Sequence, residues 1–180
     1  ASPLPMEPAP TMAMRVETGV WMVFMESFDG LSAPRAALPP DDTLGPMFAP
    51  SQEQVRRFFC SAWARQQAGQ PMEAIEQLAA GWIAEHPEWH ADFGDAEAAV
   101  ARDYGDGAVG GNPFLHLAMH LSISEQCSID QPRGIRQAVE LLSRRLGSLH
   151  DAHHAAMECL GQMLSDAQRA GRSPDGQAYI

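Results

Sequence analysis

From Met47 onward, apolar residues recur at spacings of three and four, the period of a helix with one buried face. Ser51-Gln52-Glu53-Gln54 reads as a capping box. The helix it starts carries Val55, Phe58, Phe59, Ala62 and Trp63 on one stripe and turns Arg56, Arg57 and Arg65 outward. Gly69-Gln70-Pro71 breaks the pattern, and proline suits a first helical position. A second helix is predicted from Pro71 to Glu85, burying Ile75, Leu78, Ala79, Trp82 and Ile83 until Pro87 stops it. A third, from Asp92 or Asp95 to Tyr104, has only the weak stripe Ala96, Ala99 and Val100. After the glycine-rich loop Gly105 to Gly111, Asn112-Pro113 is an N-cap followed by proline at N1, opening a fourth helix to about Cys127. Gln131-Pro132-Arg133-Gly134 turns the chain into a fifth helix, Ile135 to Arg145, with Ile135, Val139, Leu142 and Leu146 inward and Gly147 at C′. The last helix runs from Ser148 or Leu149 to about Ala170 and ends at Gly171. No segment alternates as a strand would. The expected fold class is therefore all-α, a compact bundle of about five to six helices.

Residues 1–46 follow neither period and hold most of the prolines, which fix φ and remove a donor. They are expected to form a disordered N-terminal arm, with residues 47–180 as the helical domain. The 180 residues suffice for a core without disulfide or metal staples. Lys and Arg number 12 against 23 Asp and Glu, a formal charge of −11, which repels phosphate backbones and anionic lipid. No nucleic-acid partner is expected, and no run of about 18 apolar residues offers a membrane span. A protein partner or a homo-oligomer stays open. Cys60, Cys127 and Cys159 are odd in number and show no CxxC spacing, so they read as reduced and mostly core residues. With no secretory leader in Gly19 to Met25, the expected compartment is cytoplasmic.

The candidate chemistry lies in seven histidines, arranged as His86/His90, His116/His120, His150/His154, and His153. Residues i and i+4 on a helix lie about 40° apart and about 6 Å along the axis, so both rings can address one centre. Two facing helices with such pairs would supply four nitrogens, the way bundles hold metals. The expected metal site comprises His116, His120, His150 and His154, with Glu158, one turn beyond His154, as carboxylate ligand or outer acceptor. On this reading His150, His154, Met157, Gly161 and Leu164 share the inner face, and Gly161 admits close approach of a backbone. Imidazole with carboxylate suits Zn, Fe or Mn. The competing reading is a metal-free buried His/Glu network in a structural or protein-interaction module. His86-Pro87-Glu88-Trp89-His90 reads as a loop in which His86 meets the last carbonyls of the second helix and Trp89 plugs the core. Its functional alternative has His90 or Glu88 closing over the site. Glu125 points away from His120 and is expected to cap a helix or pair with Arg133 or Arg136. Met119, Met157 and Met163 read as packing residues. No nucleophile elbow, P-loop or dinucleotide fingerprint is present, so no catalytic residue or reaction is assigned.

FAPSQEQVRRFFCSAW (48–63), AEHPEWH (84–90), NPFLHLAMHLSISEQ (112–126), QPRGI (131–135) and HDAHHAAMECLGQMLSDAQRAGRSPD (150–175) resemble the proteobacterial family called domain of unknown function 1841. The likeness covers nearly all of Met47 to Ile180 and implies no activity. It also implies that residues 1–46 are an upstream extension or follow a misplaced start. Relatives commonly carry an acid at the position of His153, which sets His153 apart from the shared ligand candidates.

Overall fold

A computed structural model describes residues 50–104, 111–172, 175–176 and 178–180. The arm assigned to residues 1–46 and most of the glycine-rich loop lie outside them. Among the described residues there are six α-helices, one 3-10 helix and no strand. The helices are α1 (Gln52–Gln67), α2 (Ala74–Ala84), α3 (Ala96–Ala101), α4 (Pro113–Ile129), α5 (Ile135–Leu146) and α6 (Leu149–Arg169), with the 3-10 helix Pro87–Phe93 between α2 and α3.

The start and stop signals act as their chemistry requires. Ser51 Oγ accepts from the Gln54 amide while Gln54 Oε1 accepts from the Ser51 amide, completing the capping box of α1. Asn112 Oδ1 accepts from the amides of Phe114 and Leu115, and Pro113 occupies N1 of α4. Gly147 and Gly171 take positive φ at the ends of α5 and α6, where a Cβ would be strained. The start of α2 differs: it begins at Ala74, after N-cap Glu73, whose own capping box with Glu76 supersedes the proline start at Pro71.

α4 lies at the centre, packing on α1, α2, α5 and α6. Every residue from Pro113 to Ile123 is buried, including Ser122, which donates to the Ala118 carbonyl. A helix enclosed on all sides must have its polar side chains satisfied inside the bundle. His116, His120, Ser122 and Gln126 are the buried polar residues of α4, and among the described residues the Gln126 side-chain amide has no hydrogen-bond partner. Around α4 the core gathers Phe59, Ile83, Phe93, Phe114, Leu117 and Leu160.

Several expected faces are rotated or shortened. Ile75, Leu78 and Leu146 are exposed, not inward. Arg56 is buried: its Nη1 donates to the carbonyls of Ala99, Val100 and Arg102 at the end of α3, and the guanidinium lies over the Tyr104 ring. Arg136, one of the two arginines offered as a partner for Glu125 beside a helix-capping role, donates to the carbonyls of Cys127 and Ser128 at the end of α4. The buried face of α6 runs through His153, Ala156, Leu160, Met163 and Ala167. It is turned by about 100° from the face read from sequence. Gly161 has nothing within 4 Å of a would-be Cβ, so it admits no close backbone approach. Among the cysteines, Cys60 is buried, Cys127 half-buried and Cys159 exposed, all as free thiols. Met119, Met157 and Met163 are core residues.

Candidate metal centre

Three elements bring their histidines to one point. α4 presents His116 and His120 one turn apart on its α2 and α6 side, and α6 presents His150, His153 and His154 from its first two turns. The third contributor is the segment after α2. Pro87 forces the preceding residue out of the helical region, and His86 takes φ −125° and ψ 66°. This break lets the His86 ring fold back along α2. Its Nδ1 is 2.8 Å from the Trp82 carbonyl, so Nδ1 carries the proton and donates, leaving Nε2 as the lone-pair nitrogen.

The ring nitrogens converge closely. His116 Nε2 lies 3.0 Å from His86 Nε2, 3.1 Å from His154 Nε2 and 3.2 Å from His120 Nε2. One ligand atom from each of these four histidines falls within 4.8 Å of all the others. His150 stands beside the four, with Nε2 3.0 Å from His86 Nε2. His120 also turns Nδ1 toward His153 Nδ1, at 3.3 Å.

Aromatic walls hold the rings. Trp82 stacks on His120 with centroids 4.1 Å apart and contacts His153 at 4.4 Å. Its indole N–H donates to Ser124 Oγ, which donates in turn to the His120 carbonyl. Trp89 lies parallel to His86 at 5.1 Å and packs edgewise on His116. His86, His116, His120 and His153 are buried, while His150 and His154 are half-buried, so the group meets solvent along the start of α6.

Burial and mutual repulsion keep His86, His120, His153 and His154 neutral. Loss of hydration pushes His120 far below the ordinary imidazole value, and the neighbouring His116, His153, His86 and His154 add to the shift. Burial, followed by His150 and His154, brings His153 down to about 4. His86 and His154 are lowered chiefly by burial as well, although the Trp82 carbonyl partly opposes this for His86. Neutral imidazoles are the form that binds metals.

The sequence-derived set is thus partly assembled. His116, His120 and His154 meet; His150 sits next to them; Glu158 does not join. On an ideal helix Glu158 lies about 180° from the middle of α6's buried face. It is exposed and lines a surface groove with Cys159, Gln162 and Asp166. His86 was missed as a member because it lies outside any helix, so periodicity assigns it no partner. Pro87 was the available signal. The sequence reading of a contact with the last carbonyls of α2 describes its Nδ1, and Nε2 is what enters the group. His90 instead donates from Nε2 to the Ile83 carbonyl and packs on Trp63, and Glu88 is exposed.

The family model described as domain of unknown function (DUF1841) matches residues 51–180, the whole helical unit that carries these histidines. The chain belongs to this family. No curated protein and no solved structure matches the chain. All six histidines gathered at the centre of this DUF1841 chain fall within the matched span.

Proposed function

We propose that this DUF1841 protein binds one transition-metal ion through Nε2 of His86, His116, His120 and His154. The observation that carries the reading is the triple approach to His116 Nε2 at 3.0–3.2 Å. A neutral ring nitrogen has one in-plane direction, holding either a proton or a lone pair. Hydrogen bonding through that direction serves one such neighbour well, not three. A cation among the four nitrogens serves every lone pair at once. Tetrahedral bonds of about 2.0–2.1 Å place ligand nitrogens about 3.3 Å apart, close to the spacing seen here.

The surroundings support the same reading. With Nε2 of His86 directed inward, its Nδ1–H is anchored on the Trp82 carbonyl, the arrangement that fixes a ligating histidine's tautomer. For His120 the corresponding acceptor is His153 Nδ1. His153 therefore positions a ligand. An all-imidazole set suits Zn or Fe and extends the choice to Cu and Ni, whereas Mn favours carboxylate oxygen. The metal-free His/Glu alternative loses its carboxylate, since none enters the group of four.

The test is elemental analysis of protein purified without a histidine tag, before and after reconstitution. About one equivalent of metal is expected, falling at least tenfold in His116→Ala. Fewer than about 0.2 equivalents after reconstitution would overturn the proposal.

A further inference from the structure

The metal-binding reading underlies a second inference, about what else the site accepts. Its four ligands are neutral, so a divalent ion held by them keeps its full double charge. The Trp82 and Trp89 rings against His120 and His86 add no compensating negative charge. The carboxylates acting on the site, Glu85, Glu88 and Asp151, are all exposed. Water screens them, and none belongs to the ligand group. Charge buried without a compensating partner is costly, and a small anion on the ion removes that cost.

His150 marks where such an anion would enter. It is half-buried, its ring centroid lies 4.2 Å from that of His154, and its Nε2 is 3.0 Å from His86 Nε2. It also lines a surface groove with Gln77, Gly81, Trp82, Glu85 and Ser148, of which only the exposed Glu85 carries a negative charge. As the second residue of α6, it sits at the positive end of that helix's dipole. We infer that the four-nitrogen centre opens to five-coordination and takes a small inorganic anion of the azide or hydroxide class as its external ligand, entering by this groove and accepting a hydrogen bond from His150. His150 is thus an anion-positioning residue and not a fifth metal ligand.

Azide titration of the full chain loaded with Co(II), followed by visible absorption, tests this. Wild-type protein is expected to show a saturable spectral change. His150→Ala should keep its Co(II) and weaken azide binding on the order of tenfold, the size of one hydrogen bond. His150→Gln, which retains a donor, should recover most of that loss. A Co(II)-loaded wild type blind to azide, equal azide affinity in wild type and His150→Ala, or loss of Co(II) from His150→Ala would each overturn the inference. Failure of the underlying metal reading is read separately, as absent Co(II) uptake before azide is added.

Discussion

His120 uses both of its ring nitrogens, and this ties the fate of the site to a residue outside the ligand set. Nε2 faces the group, and Nδ1 faces His153 at 3.3 Å. If Nε2 is to offer a lone pair, Nδ1 must hold the proton and His153 must accept it. Replacing His153 with leucine removes that acceptor, and metal affinity should fall by about 10–100-fold. His153→Asp restores an acceptor and should recover much of it. Competition with a chelator of known affinity measures both variants, and equal affinity in wild type and His153→Leu would exclude the positioning role. Four of the six clustered histidines were legible as i,i+4 pairs, because spacing along one helix is local information. His153 was set aside because relatives were expected to carry an acid there. An acid could accept the same proton, so the chemistry of the position was not excluded by the change of residue.

At the scale of elements, α4 matters most, since it supplies two of the four proposed ligands and lies at the middle of the core. Its start is fixed by Asn112, buried and accepting two amide hydrogens at 3.1 and 3.2 Å. Asn112→Ala should cost about 1–2 kcal/mol, toward the upper range for N-caps, because the freed amides are buried. Urea denaturation should show a lower midpoint with an unchanged m-value. A change below about 0.3 kcal/mol would mean that another group caps the helix. Such caps were readable from sequence because they depend on residues two or three positions apart. Helix faces were less readable. Ala152, Ala156 and Ala167 are buried on α6, and small side chains gave that face little weight against Met157 and Leu164. The resulting error of about 100° placed Glu158 inside when it is outside.

For the whole molecule, the consequence is that His86, His120, His153 and His154, from the segment after α2, from α4 and from α6, resist protonation. An unfolded chain takes up protons on these histidines near their ordinary value of 6.5, whereas folded His153 does so only at about 4 and His120 lower still. Because the folded values are depressed, their contribution to stability is full above about 6.5 and is lost as pH falls toward about 4. The metal-free protein should therefore melt at progressively lower temperature across that window. Thermal unfolding in matched buffers from about pH 7.5 to 4 would measure this. A flat melting temperature would show that the rings are hydrated or already protonated in the folded state. Among the described residues no helix is long and apolar enough to cross a membrane.

The sequence by itself determined the all-α class, the caps that delimit α1 and α4, and the histidine pairs, since each rests on contacts within a turn or two of one helix. Tertiary structure alone decided which nitrogens meet. His86 reaches His116 across 30 residues and His150 across 64, distances closed only by packing α2 and α6 around α4. It also decided the rotation of α6, which depends on how alanines nest against neighbouring helices. That rotation removed Glu158 from the site, and the break at Pro87 together with the packing of α2 on α4 brought His86 in.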